Sequence, residues 1–315
     1  MSLRLILGGM KSYLPLPQDQ YKGTGGTVSG AYCYTVWLRH LSLIHQFLGG
    51  VTFDPKIVVE LGPGDSIGLG LAALLTGAEL YTGLDVLEHS TTDANYRVLD
   101  ELVLLFRARA KLPDEKAFSR LYPRLRSYEF PDHLLNEVVL RGRLSDQYVS
   151  RLGQAIENAH GNDGLIRYRA PWNAKDVQNG SADLIISQGA LQDMDHTPRR
   201  DNLRDTISTI TGWLKPGGVM SHHIELSCPG GREWNHHWAY NDFLWKVVRG
   251  RRPYYKNRVP LSQYITLFEQ AGCRIIGIER LVRDGLPREA TAEPFRQLPE
   301  GDFHTAAALL AMVKL

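Results

Sequence analysis

The chain has 315 residues, 43% of them hydrophobic and 22% charged, with 30 Gly and 16 Pro; this composition excludes collagen-like, disordered and disulfide-scaffold chains and calls for a buried core. Lys and Arg number 36 against 34 Asp and Glu, and the resulting charge of +2 gives no field that would gather nucleic acid or an anionic membrane. Cys33, Cys228 and Cys273 lack CxxC or Cys/His finger spacing, no apolar run approaches the ~20 residues of a membrane span, and residues 1–10 are too weakly apolar for a signal peptide, so a reducing cytoplasm is the expected setting.

Residues 1–50 hold a glycine-rich stretch, Gly23-Thr24-Gly25-Gly26-Thr27, and then an aromatic segment in which Trp37, Leu41, Ile44 and Leu48 fall on one helical stripe. A short apolar run at Ile57-Val58-Val59 closes in Glu60-Leu61-Gly62-Pro63-Gly64 and is followed by a helix-length stretch, 66–75. That is a strand, a tight turn and a helix. A second strand, 80–84, ends at Asp85, 25 positions after Glu60, completing a strand-helix-strand unit of ordinary size. Residues 88–160 become charged, with Leu99, Leu102, Val103 and Phe106 at helical spacing and prolines at 113, 123 and 131, and read as a helical insertion. Strands are predicted again at 165–169, 182–187 and 218–226, with a helix over 200–214 ahead of Lys215-Pro216-Gly217-Gly218. After an aromatic, histidine-bearing segment come a helix at 261–271 and two last strands, 273–281 and 305–313. Alternation of this kind predicts an α/β fold with a mostly parallel sheet.

The turn from Glu60 to Gly68 carries the first chemistry, because glycines let backbone approach a ligand closely. Alone it fits a dinucleotide, the amino-acid end of S-adenosylmethionine, or a plain tight connection. Asp85 adds a carboxylate able to accept both hydroxyls of a ribose, with a loop cap as the bland alternative. The downstream run Asp183-Leu184-Ile185-Ile186-Ser187 and the turn Leu214-Lys215-Pro216-Gly217-Gly218 complete a series.

In order and spacing, these motifs resemble the class I S-adenosylmethionine-dependent methyltransferases over residues 56–226, the insertion aside. The resemblance implies a Rossmann-like seven-stranded sheet with its last strand antiparallel, with residues 305–313 in that place, and S-adenosylmethionine as cofactor. It implies cofactor contacts from Gly62, Gly64 and Asp85, with Glu60 orienting the loop and meeting the methionine ammonium indirectly; Gln188, leaving the fourth strand, either faces the cofactor or packs the loop. One departure is the stretch Tyr168-Arg169-Ala170-Pro171-Trp172-Asn173, which has no acid to hold the adenine amino group until Asp176. Backbone groups or Asn173 would replace it, and Trp172 either stacks on the purine or packs the sheet edge.

A narrower resemblance, to bacterial methyltransferases associated with surface-polysaccharide or sugar modification, rests on Gly23-Thr24-Gly25-Gly26, on Tyr32-Cys33-Tyr34-Thr35-Val36-Trp37-Leu38-Arg39-His40, on Met220-Ser221-His222-His223-Ile224-Glu225, and on Trp234-Asn235-His236-His237-Trp238-Ala239-Tyr240. The organisation expected is an N-terminal helical lid or cap over 1–50 and a cofactor-binding domain over 51–315. That domain carries the helical insertion 88–160 and an acceptor-pocket segment 227–260.

Methyl transfer to a hydroxyl needs alignment and removal of a proton, a base adding ~100-fold to ~10,000-fold. Histidine suits the task, and four of the 11 histidines are His222, His223, His236 and His237. His222, near the carboxyl end of the fifth strand, and His237, beside Trp238 and Tyr240, are the candidate bases, each alternatively a structural histidine; Asp193 is the reserve base. Neighbours on a strand point to opposite faces, so only one of His222 and His223 faces a pocket. No metal is expected, since adjacent histidines rarely chelate one ion and no HExxH helix is present. Tyr32, Tyr34, Trp37, Trp234, Trp238 and Trp245 form either an acceptor platform or ordinary core, and the basic run 249–252 meets either a phosphate or solvent. The expected acceptor is a small molecule such as a sugar or nucleotide sugar, with no nucleic acid and no membrane span. N-methylation of an amino sugar, a non-catalytic binding module in a biosynthetic complex, and a dehydrogenase are the competing functions.

Overall fold

In a computed structural model the structure describes residues 2–14, 26–118, 121–197, 202–252 and 255–315. The chain opens with helix α1 (Leu3–Lys11) and helix α2 (Gly30–Phe47), the latter capped by Ser29, whose side chain accepts from the Tyr32 amide. Strand β1 (Ile57–Leu61), helix α3 (Gly68–Thr76) and strand β2 (Leu80–Leu84) form the predicted strand-helix-strand unit. Helices α4 (Thr92–Arg107), α5 (Glu137–Arg143) and α6 (Asp146–Glu157) lead to strand β3 (Ile166–Arg169). Strand β4 (Ala182–Gln188), helix α7 (Asn202–Trp213) and strand β5 (Leu214–Glu225) follow. Helices α8 (Asp242–Arg249) and α9 (Leu261–Gln270) and strands β6 (Cys273–Val282) and β7 (Thr305–Lys314) complete the order.

The seven strands run in the order β3-β2-β1-β4-β5-β7-β6. β1 to β5 are parallel, and β7 is antiparallel to both β5 and β6, as the resemblance implied. The sheet is therefore Rossmann-like. Its order reverses between β1 and β4, and in open α/β sheets the crevice at the carboxyl ends of such strands is where ligands bind. β5 begins earlier than predicted. Leu214 pairs with Ala182 and Val219 with Leu184, so Lys215-Pro216-Gly217-Gly218 bulges out of the ladder, with Gly217 at φ +75° and the Lys215 ammonium 2.6 Å from Asp183.

Both faces of the sheet are covered. On one lie α2, α3 and α4, joined through Val36, Trp37, Leu71, Leu74, Val98 and Leu102; on the other Ile207, Ile210, Trp213 and Phe268 of α7 and α9 pack on Ile185, Met220 and Ile224. Gly68 is where α2 and α3 touch, because a Cβ there would overlap the Cys33 sulfur and Val98. α1 closes on α8 through Leu5, Trp245 and Val248. The stretch Gly23, Thr24 and Gly25, within the expected N-terminal lid or cap, lies outside the described residues.

Candidate functional site

At the carboxyl end of β1 the chain turns through Gly62 at φ +71° and Gly64 at φ +74°, conformations costly for residues with a side chain. A Cβ on Gly62 would come to 3.0 Å from the Ala190 methyl, so the glycine also keeps this floor clear. Asp85, at the end of β2, accepts the Gly64 amide at 3.1 Å and the Val86 amide at 2.7 Å. Its burial pushes the carboxyl pKa upward, opposed by those two amides. Together with Leu61, Leu84, Trp172 and Met194 these residues line a cavity of about 190 Å³.

Trp172 meets Trp213 edge to face at 5.6 Å, leaving its other side to that cavity. Asn173 closes its own turn, its amide donating to Asp176 at 2.6 Å and its side-chain oxygen accepting from Lys175. Glu60 lines neither this cavity nor the larger cleft described next. It is 1% exposed beneath the turn, accepts the Tyr81 hydroxyl at 2.6 Å, and burial pushes its pKa up to about 8.

The small cavity opens into a cleft of about 1100 Å³, and His89, Gln188, Gly189 and Asp193 line both. The cleft draws Ser29 and Tyr32 from the start of α2, Arg97 from α4, Phe118 and Leu121 from the loop after it, His223 and Glu225 from β5, and Lys256. Asp193 stands at the junction. Burial raises its carboxyl to about 7, with Lys256 drawing it down and Glu225 pushing it up, while Lys256 itself pairs with Glu225 at 2.9 Å.

The sheet separates the predicted histidines. His222 points away from the cleft, fully buried, its Nδ1 2.8 Å from the Ser187 hydroxyl and its ring stacked on Phe268 at 5.4 Å. His223, one residue on, forms cleft wall. His237 is buried between Trp238 and Trp245, at 5.7 and 6.0 Å, and lines neither cavity. Burial lowers all three to about 3, so they are neutral. A parity does exist in the sequence: Ser221, His223 and Glu225 alternate with Met220, His222 and Ile224, and of the first set His223 and Glu225 line the cleft while Ser221 lies deeper on the same face against His40. Of the six aromatic residues considered for a platform, Tyr32 reaches the cleft, whereas Tyr34, Trp37, Trp234, Trp238 and Trp245 are core. Lys256 and His89 carried no sequence signal beyond their charge type. Among the described residues no cluster of three or more His, Cys, Asp or Glu could hold a metal, and no helix is long and apolar enough to cross a membrane.

No family model and no curated protein matches the chain. Among solved structures, an S-adenosylmethionine-dependent methyltransferase from Mesorhizobium loti is similar over 86% of this chain and 96% of its own, at 16% identity and TM-score 0.42. Phosphoethanolamine N-methyltransferase 2 from Haemonchus contortus, in complex with S-adenosylmethionine, is similar over 92% of this chain and 58% of its own, at 16% identity and TM-score 0.41. Geranyl diphosphate C-methyltransferase from Streptomyces coelicolor A3(2) is similar over 90% of this chain and 76% of its own, at 13% identity and TM-score 0.42.

Proposed function

We propose that the chain transfers a methyl group from S-adenosylmethionine to a hydroxyl of a polar, carbohydrate-like small molecule. The observation that carries this reading is the junction of two cavities. A small one is floored by the Gly62–Gly64 turn and flanked by Asp85; a roomy one is walled by polar side chains; and Asp193, with a carboxyl near neutrality, stands between them. The residues fit the cofactor. Gly62 leaves a floor that a Cβ would fill, Asp85 keeps lone pairs beyond its two backbone donors for a ribose, and Trp172 offers an aromatic face. When bound, the cofactor supplies an electrophilic methyl on a sulfonium.

In this reading Asp193 accepts the proton of the acceptor hydroxyl, a task suited to a carboxyl poised near ~7. Lys256, held by Glu225, orients acceptor oxygens, and Gln188 fixes the boundary between the two cavities. Segments 1–50, 88–160 and 227–260 serve as acceptor walls, contributing Tyr32, Phe118 and Lys256 in turn. His222 and His237 hold the core in place. An amino acceptor would yield its proton to the same carboxylate, so N-methylation uses the same geometry.

The test is a transfer screen with labelled S-adenosylmethionine against nucleotide sugars, amino sugars and metabolite extracts, with mass spectrometry of the product. A methylated hydroxyl supports the reading, and a methylated amine replaces its acceptor half. Absence of S-adenosylmethionine binding by calorimetry would overturn it in favour of a nicotinamide enzyme or a scaffold, which binding of a nicotinamide cofactor would separate.

A further inference from the structure

Arg39 is 1% exposed, and among the described residues none of its three guanidinium nitrogens makes a well-formed hydrogen bond, although the Tyr128 hydroxyl and Glu115 lie within reach of its charge. Burying a cation so is costly unless something pairs with it. Near it, His40 Nε2 and both ring nitrogens of His223 are buried and likewise make no well-formed hydrogen bond among the described residues, with the Gln188 side chain beside His40. The fold brings them together. Tyr32 and Arg39 lie seven residues apart on α2, close to two helical turns and hence on one face. The next residue, His40, places Nδ1 2.7 Å from the hydroxyl of Ser221, and His223 follows Ser221 on the same face of β5.

Tyr32, Gln188 and His223 are the cleft wall in front of this group. The groups whose field reaches Arg39 are the Tyr128 hydroxyl and Glu115, but the hydroxyl donates its proton to Glu115 at 2.9 Å and Glu115 is also held by Arg124 at 3.3 Å, so neither supplies Arg39 with a free anion. A permanently charged guanidinium and two neutral imidazoles, each with one N–H, thus stand behind one end of the cleft, and among the described residues no carboxylate pairs directly with the guanidinium.

We propose that the inner end of the cleft is an oxyanion subsite, taking a carboxylate or phosphate whose charge partner is Arg39, with His40 and His223 as flanking donors. The group comes from the acceptor or from the methionine carboxylate of the cofactor; only this choice of source rests on the methyl-transfer reading. Arg39 suits the task because its planar fork matches both oxyanions.

The test is calorimetric titration of the ligand-free chain with inorganic phosphate at constant ionic strength, for the wild type and Arg39→Met. The wild type is expected to bind saturably and the variant at least tenfold more weakly, while its melting temperature without phosphate equals or exceeds that of the wild type, since an unpaired buried charge has gone. Equal phosphate binding by both, or none by the wild type, overturns the subsite. Should Arg39→Met fail to fold, Arg39→Gln takes its place, and failure of both makes Arg39 structural and overturns the proposal. A second titration compares S-adenosylmethionine with its decarboxylated form. If Arg39→Met weakens the first tenfold and spares the second, the methionine carboxylate is the oxyanion; if both are spared while phosphate binding is lost, it belongs to the acceptor. A chain that binds S-adenosylmethionine but ignores phosphate loses only the subsite. One that binds phosphate through Arg39 but no S-adenosylmethionine loses only the methyl-transfer reading.

Discussion

Asp193 gathers its properties from position, not from residue type. It lies in a short helical turn after β4, where burial disfavours its charge, Lys256 restores part of it, and both cavities reach it. Replacing it by Asn keeps shape and removes the carboxylate that the proposed reading makes the proton acceptor. Asp193→Asn is therefore expected to slow transfer to a hydroxyl by ~100-fold or more while S-adenosylmethionine affinity stays within about twofold. In the wild type, kcat should rise with pH through about 7 as the carboxyl ionises, and a flat profile from pH 5 to 9 would remove it from this role. His222 makes the opposite case. Packed against Phe268 and Ser187, its loss in His222→Ala should cost about 2–4 kcal/mol of stability in urea unfolding, as large-to-small core changes do, with kcat unchanged in the folded variant. The alternation of Ser221, His223 and Glu225 against Met220, His222 and Ile224 was legible in the chain. What it lacked was the sign of the alternation, since which parity meets the cleft depends on the helices that cover each face of β5.

Elements fared according to how local their causes are. The unit β1-α3-β2 was legible because an apolar run, a glycine turn and a second run are all set by neighbouring residues, and Asp85 follows from where β2 ends. Asp85→Ala removes acceptors that a ribose would use, so S-adenosylmethionine binding should weaken by about 10- to 100-fold by calorimetry, the scale of hydrogen bonds to a charged group. Unchanged affinity would place the ribose elsewhere. The contact between α2 and α3 has no such local signature. It depends on Gly68 fitting under Cys33 and Val98, 35 and 30 residues away in sequence, which no periodicity announces. Gly68→Ala should separate the helices at a cost of about 1–3 kcal/mol, read as an earlier urea midpoint with an unchanged slope. The bulge at Lys215 to Gly218 was equally hidden, because a Pro-Gly-Gly run reads as a loop until a neighbouring strand is seen to pair on both sides of it.

The molecule as a whole holds an unusual set of buried titratable groups. His40, His222, His223 and His237 are kept neutral, at about 3, while Glu60 and Asp193 are raised to about 8 and about 7. Unfolded, the histidines titrate near ~6.5 and the carboxyls near ~4. Between about pH 4.5 and 6 the unfolded chain therefore holds about four protons on these histidines and the folded chain about two on these carboxyls, so stability should rise by about 2.7 kcal/mol per pH unit. Above about pH 6.5 the histidine difference disappears. The stability due to the carboxyls, fully present below their unfolded pKa, is then lost as pH rises through about 7 and about 8. A maximum near pH ~6.5 in urea unfolding is the expected outcome; stability climbing steadily to pH 8 would contradict it.

The cleft itself is walled by pieces of α2 and α4, by Phe118 and Leu121 from irregular chain, by β5 and by Lys256, whereas the small cavity is built almost wholly from the ends of β1, β2 and β4. The two cavities thus draw on different parts of the chain and meet at four shared residues, His89, Gln188, Gly189 and Asp193. Exchange of the loop bearing Phe118 and Leu121 would alter one wall of the cleft and leave the strand ends and glycine turn of the small cavity in place. On the proposed reading, variation in such peripheral segments would retune what the cleft admits, while the four junction residues stay common to both cavities.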